Sequence, residues 1–160
     1  WKTVVFRVNG VDDQLILVQT GDTLTAADIP AADLYAGAKI VWDQEELAQL
    51  LDTPIWKDHV IPGDAVPLAG QSVLTLNAAK SADGVTATVK NDAAINFQLT
   101  LFAVAYDADG RMLDCQAVPF TAEAGESTTV TAALFADAAV VRCYLMDSRF
   151  IPVCPRVELN

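Results

Sequence analysis

The stretch that decides the fold is VTATVKNDAAINFQLTLFAVAYDADGR, residues 85–111. Residues 85–89 alternate apolar and polar side chains, which is typical of a strand with one buried face. The segment 97–106 is apolar on both faces, so we predict a central strand there. Residues 107–110, Asp-Ala-Asp-Gly, then supply the chemistry of a hairpin turn. The stretch therefore predicts antiparallel strands joined by short turns.

The same pattern continues on both sides of this stretch. Further strands are predicted at 72–76, 111–118, 128–134, 138–146 and 150–159. The last of them is expected at a sheet edge, because Pro152 and Pro155 interrupt its hydrogen-bonding ladder. About seven short strands at regular spacing indicate an antiparallel β-sandwich.

The first sixty residues follow a different order. Strands are predicted at 2–8, 14–19, 38–42 and 55–61, with a short helix before the last of these. Asp43 precedes Glu46 by three residues, which is the spacing of a helix-capping box. Leu47, Leu50 and Leu51 would form the buried side of this helix. Thr25 is placed to cap a short helical turn earlier in the chain.

The segment Pro62-Gly63-Asp64-Ala65-Val66-Pro67 has two prolines and a glycine within six residues. Such a composition interrupts both helices and strands. We therefore interpret it as a linker, which divides the chain into two domains, residues 1–62 and 63–160.

The first of these domains resembles the internalin-type B-repeat modules. The resemblance rests on TVVFRV at 3–8, VQTGDTL at 18–24, Ile29-Pro30 and the aromatic-bearing strand at 37–42. Two features depart from the family: its Gly-Tyr-x-Phe-x-Gly-Trp run is Ala-Gly-Ala-Lys-Ile-Val-Trp at 36–42, and the helix is unusual for the group. The resemblance implies a small β-grasp-like α+β domain.

The second domain resembles the fibronectin type III-like or Ig-like modules of secreted clostridial-type proteins, over residues 74–159. Four segments carry the likeness: 89–91, AYDADGR at 105–111, AGE at 124–126 and LMDS at 145–148. The resemblance implies an Ig-like β-sandwich in an extracellular or cell-wall-associated protein. It also implies a non-catalytic interaction or spacer module that acts in adhesion or display.

Charge restricts the partners that this chain can bind. Lys and Arg total 10 and Asp and Glu total 21, a formal charge of -11. Such a surface repels nucleic-acid phosphates and anionic lipids, so we expect neither as a partner. No apolar run approaches the ~20 residues that cross a bilayer, so we expect no membrane insertion. Because the sequence begins at Trp1, we interpret it as a monomeric fragment of a longer precursor.

No pattern typical of a catalytic or metal site is found in the sequence. His59 is the only histidine, and there is no Gly-x-Ser-x-Gly elbow, so a serine nucleophile would lack a base. Asp107, Asp109 and Asp114 do not fit the EF-hand spacing and are more simply turn residues. We therefore expect no enzyme activity, no metal and no cofactor.

The cysteines allow two interpretations. Cys115, Cys143 and Cys154 are an odd number, so they cannot all pair within one chain. We favour three buried thiols that pack as small hydrophobes. A bridge between Cys143 and Cys154, on either side of a turn, is the alternative.

The aromatic residues of the first domain are the candidate binding residues. We assign Trp1, Tyr35 and Trp56 to a ligand site, and Trp42 to the core. Exposed aromatic rings stack on sugar faces and also anchor protein interfaces. The expected partner is therefore an extracellular protein or a glycan. The alternative function is a carbohydrate-binding accessory module of an extracellular glycan-degrading enzyme.

Overall fold

The computed structural model describes residues 1–135 and 137–160, and the chain is mainly β, as predicted. The first part contains strands β1 (Lys2–Val8), β2 (Gln14–Val18), β3 (Ala38–Trp42) and β4 (His59–Pro67), with helix α1 (Gln44–Leu50) between β3 and β4. The second part contains β5 (Leu74–Ser81), β6 (Gly84–Asn91), β7 (Phe97–Tyr106), β8 (Met112–Ala122), β9 (Ser127–Ala133), β10 (Val140–Met146) and β11 (Val157–Leu159).

The first sheet has the strand order β2-β1-β4-β3. Strand β1 pairs with β2 antiparallel and with β4 parallel, and β3 pairs with β4 antiparallel. Its inner face is apolar, and the rings of Phe6 and Trp42 meet edge to face with centroids 5.1 Å apart. Leu47 and Leu50 of α1 belong to the same buried cluster.

The predicted helix cap at Asp43 is confirmed, and the helical turn predicted after Thr25 is present. The Asp43 carboxylate accepts a hydrogen bond from the backbone N–H of Glu46 at 2.9 Å. This bond satisfies one of the N–H groups that a helix start leaves without an intrahelical partner. Helix α1 ends at Leu50, and Leu51 follows it as a half-buried residue. Thr25 precedes a single 3₁₀ turn, Ala26–Asp28, and the Asp28 carboxylate accepts from the Thr25 backbone N–H at 2.8 Å.

The second part is the predicted β-sandwich. A three-stranded antiparallel sheet, β5-β6-β9, packs against a four-stranded antiparallel sheet, β11-β10-β7-β8. Every second residue of β6 and β7 is buried, so both strands give one face to the shared core. Strand β7 has the predicted bounds and lies inside its sheet between β10 and β8. Strand β11 lies at the edge of the same sheet.

The prediction of a linker at 62–67 is wrong, because these residues form the second half of β4. The first sheet extends to Pro67, so the boundary placed after residue 62 falls inside a strand that pairs with both β1 and β3. The chain passes to the sandwich through residues 68–73. The division into two domains stays a prediction.

Two further strand predictions need correction. The segment 150–159 is not one continuous strand: it contains a single bridge between Pro152 and Met146, and then the three residues of β11. The segment 55–61 becomes a strand only from His59. In both segments the N-terminal part is a loop, since the chain must first leave a turn before it reaches its neighbouring strand.

The first sheet and the sandwich touch at two glycines. A Cβ at Gly10, in the turn after β1, would collide with the side chain of Asn96. Asn96 is itself held by a 2.8 Å hydrogen bond from the Ala124 backbone N–H. A Cβ at Gly37 would lie 2.6 Å from a methyl carbon of Val73. Close approach of these segments therefore requires glycine at both positions.

Candidate functional site

Two of the predicted site residues lie at one end of the first sheet. Trp1 is 79% exposed and Trp56 is 68% exposed. Each precedes one of two parallel strands, in which Val4 of β1 is opposite His59 of β4. The same register places Trp1 and Trp56 at the same end of the sheet.

The third predicted site residue, Tyr35, is at the opposite end. It precedes β3, which runs antiparallel to β4 and pairs its first residue, Ala38, with Pro67. Tyr35 is half-buried against the core. The structure therefore does not bring Tyr35 together with the two tryptophans. Trp42 is a core residue, as predicted: it is 6% exposed, and its indole N–H donates to the Pro30 carbonyl at 3.3 Å.

A cavity of about 280 Å³ lies beside Trp56. The indole packs over Gly21, where a Cβ would lie 3.1 Å from the ring. Two backbone hydrogen bonds hold the loop in place: Gly21 N–H donates to Ile55 O at 2.8 Å, and Ile55 N–H donates to Asp22 O at 2.9 Å. The cavity is lined by residues of α1 and of the loop that leads to β4: Gln49, Leu50, Thr53, Pro54, Ile55, Trp56, Lys57 and His59.

A second candidate site was not predicted from the sequence. It is the face of the four-stranded sheet that points away from the core, here called the outer face. Its cross-strand rows are Tyr144–Phe102–Ala117, Arg142–Val104–Cys115 and Val140–Tyr106–Met112, completed by Phe150 in the turn after β10. The Phe150 ring, 64% exposed, meets Phe102 edge to face at 6.0 Å.

The outer face contains ion pairs of Glu158 among its apolar side chains, a close one with Arg142 and a longer one with Arg156 at 3.9 Å. The Arg142 guanidinium bonds to the Glu158 carboxylate at 2.8 Å and lies 4.9 Å from the centre of the Tyr106 ring. The hydrogen bond from Arg142 holds the pKa of Glu158 below its ordinary value. Both side chains are partly solvated, so the pair contributes little to stability. The outer face as a whole is therefore close to neutral in a chain of charge -11.

The apolar run 97–106 already indicated in the sequence that a second face of this sheet is apolar. The run 97–106 is apolar on both faces, and its predicted position as a central strand is confirmed, but the three-stranded sheet covers only its inner side. The outward residues of that covering sheet are polar, as the pairs Thr86–Thr131 and Thr88–Thr129 show. The two exterior faces of one sandwich thus differ in chemistry. Contact with water accounts for the polar composition of one face but not for the apolar composition of the other.

The three cysteines are free, and they differ in environment. Cys143 is buried in the sandwich, and burial raises the pKa of its thiol to about 11. Cys154 is half-buried, so both fit the interpretation as packed thiols. Cys115 is exposed on the outer face, so the interpretation of all three as buried is wrong for this residue.

Among residues 1–135 and 137–160, no three metal-binding side chains come together. In the same described part of the chain, no helix is long and apolar enough to cross a membrane. The chain matches no family model, no curated protein and no solved structure. Its function must therefore be argued from its own surfaces.

Proposed function

We propose that this chain is a non-catalytic interaction module of a secreted or cell-surface bacterial protein, acting in adhesion or display. Its partner is an extracellular protein with an apolar surface, which binds the outer face of the four-stranded sheet. The observation that carries this proposal is the row of half-buried aromatic and aliphatic side chains on the outward side of β7 and β10, bordered by exposed Met112 of β8.

The size of the outer face supports a protein partner. The four strands are 11, 10, 7 and 3 residues long, and with about 3.3 Å per residue and about 4.8 Å between strands they span roughly 500 Å². Standard protein interfaces bury about 800 Å² on each partner. The outer face could therefore supply more than half of one side of a standard interface, and the turns that border it would supply the rest.

The composition of the outer face supports the same partner. Tyrosine, phenylalanine, methionine and arginine are enriched in interface cores, and the face contains Phe102, Tyr106, Met112, Arg142 and Tyr144. These side chains stand on a hydrogen-bonded sheet, so little ordering is needed when a partner binds. The near neutrality of the face also favours an apolar partner over a highly charged one.

The extracellular setting rests on a separate argument. It follows from the resemblance of residues 74–159 to fibronectin type III-like modules of secreted proteins. The strand order of the sandwich is compatible with that resemblance. The strand order of the first sheet, with parallel β1 and β4, is likewise compatible with a β-grasp-like domain.

A binding screen with two matched variants tests the proposal. The intact protein is immobilised and exposed to purified extracellular-matrix and bacterial surface proteins. We expect saturable binding to at least one, weakened at least about tenfold by Met112→Asp on the outer face. Leu17→Asp is the control, since Leu17 is 66% exposed, close to the 65% of Met112, but belongs to the first sheet. Binding to none of them, or equal effects of both variants, would contradict the proposal.

A carbohydrate-binding accessory module is the second candidate, and the exposed Trp56 beside its cavity favours it. Aromatic rings present flat apolar faces that suit the C–H faces of sugars. A glycan array probed with the parent protein and with Trp56→Ala tests this candidate. Binding that is lost in the variant would support it.

A further inference from the structure

The cavity beside Trp56 has a lining that selects one class of sugar. We propose that it binds an acidic sugar unit, such as a uronic acid within a longer glycan. This inference rests on the second candidate function above, and it adds the chemistry of the ligand. It is carried by the aromatic wall, the polar groups and the charge of the lining.

The aromatic wall is rigid enough to act as a platform. Trp56 rests on Gly21, which has φ +92 and no side chain to displace the ring. The two backbone bonds between 21–22 and Ile55 hold the segment that bears the indole. Buried Leu50 and Ile55 form the floor of the cavity. A sugar ring could therefore stack on the indole without reordering the loop.

Four lining groups can hydrogen-bond to a sugar. Gln49 offers an amide, Lys57 an ammonium and His59 an imidazole. The Thr53 hydroxyl donates its proton to the Leu51 carbonyl at 3.3 Å. Its lone pairs are then left to accept from a sugar hydroxyl. A cavity with both donors and acceptors around an apolar floor is typical of small-ligand sites.

The charge of the lining favours an acid. Lys57 is the only residue of the lining with a formal positive charge, and the eight lining residues, all in the described part of the chain, include no carboxylate. The nearby Asp58 carboxylate is engaged by the Thr3 backbone N–H at 2.9 Å. A carboxylate bound near Lys57 would form a charge-assisted hydrogen bond.

The size of the cavity limits the ligand. About 280 Å³ is near the lower end of the range for small-molecule sites, about 300–1,000 Å³. The cavity therefore suits one sugar unit, while the rest of the glycan extends into solvent. Leu15 of β2 is 64% exposed in the same sheet and is not part of the lining, so it provides a matched apolar control.

Fluorescence and calorimetric titrations of the intact protein test the proposal. The probes are oligogalacturonate, a glucuronate-containing oligosaccharide and a sialylated oligosaccharide. The methyl ester of oligogalacturonate is the neutral control, because it keeps the ring and removes the charge. We expect at least one acid to bind, with the affinity reduced at least about tenfold by Trp56→Ala and about fivefold by Lys57→Gln. Leu15→Ala should leave the affinity unchanged.

The outcomes separate this inference from the function on which it rests. Equal binding of the acid and its methyl ester, lost in Trp56→Ala, would overturn the acidic-sugar inference and leave carbohydrate binding in place. An affinity that Lys57→Gln leaves intact would overturn the inference in the same way. Failure of all three acids to bind, together with a negative glycan array, would overturn both. Circular dichroism of each variant verifies that the fold is retained.

Discussion

Gly63→Ala tests the close packing between β4 and Trp42, the last residue of the edge strand β3. A Cβ at position 63 would lie 2.6 Å from Cζ3 of Trp42 and 3.1 Å from Cγ2 of Ile40. The indole is confined by Phe6 on one side and by its hydrogen bond to Pro30. The added methyl group therefore forces the indole away from its position or bends β4.

The expected cost follows from two opposing contributions. Overpacking a core costs about 1–3 kcal/mol. Replacing a strand glycine with alanine returns about 0.5–1 kcal/mol, because alanine loses less backbone freedom on folding. The net loss in the free energy of unfolding is then about 1–2 kcal/mol. For a chain of 160 residues this lowers Tm by about 2–8 °C.

Urea unfolding of a double-mutant cycle measures this effect. Trp42→Leu removes the ring that the new methyl group would strike. In that background Gly63→Ala should be almost neutral, which gives a coupling energy of about 1 kcal/mol or more. Additive costs of the two substitutions would refute the steric argument, and so would a Gly63→Ala protein as stable as the parent.

Three other predictions concern the sandwich. Asn91→Ala removes a buried amide that makes three hydrogen bonds to backbone groups. Urea unfolding should show that the free energy of unfolding falls by about 3 kcal/mol, and a loss near zero would contradict this. Burial raises the pKa of Asp147, but hydrogen bonds from the Arg149 side chain and from backbone N–H groups lower it by more. The pKa of Asp147 is therefore below its ordinary value. The stability that this carboxylate contributes is present above the unfolded pKa of about 3.9 and is lost as pH falls through the folded pKa. The Tm of the Asp147→Asn protein should therefore fall less than the Tm of the parent between about pH 5 and about pH 2. An equal fall in both proteins would count against the argument. In the folded protein iodoacetamide should label exposed Cys115 and leave Cys143 unmodified, as peptide mass spectrometry would show, and equally fast labelling would disprove this difference.

Local sequence signals were sufficient where local physics sets the structure. The bounds of β7 could be predicted because an apolar run ends at a turn rich in aspartate and glycine. The start of α1 could be predicted because the Asp43 side chain caps its own helix. The alternating pattern of β6 assigned each side chain to the correct face. None of these features depends on residues far away in the sequence.

The second half of β4, from Pro62 to Pro67, could not be predicted, because this strand accommodates proline and glycine only through its contacts with distant residues. The Pro62 carbonyl accepts a hydrogen bond from Asp43 N–H, just beyond the last residue of β3. The proline nitrogen faces the same side, where β3 has ended, so its lack of an N–H removes no ladder bond. Gly63 is accommodated because Trp42 occupies the space of a side chain. Composition alone indicates a linker in such a segment.

The candidate sites likewise contain some features that the local sequence could predict and others that depend on long-range strand pairing. Exposure of Trp1 and Trp56 accords with their assignment to a ligand site, which stays a prediction. The separation of Tyr35 from both depends on β3 running antiparallel to β4, and this pairing is a long-range property. The lining of the Trp56 cavity likewise joins α1 to the loop before β4. Aromatic content can nominate such residues, but the order of the strands decides which of them meet.

The two exterior faces of the sandwich differ in chemistry, and this difference favours a bound partner. Water accounts for the threonine pairs of β6 and β9, since a solvated sheet face alternates apolar inside with polar outside. The same rule fails for β7 and β10, where Phe102 and Tyr144 are opposite each other on the exterior. Both faces belong to one fold and share one core, so folding alone does not require this difference. The partner proposed above would account for it, because it would remove these rings from water.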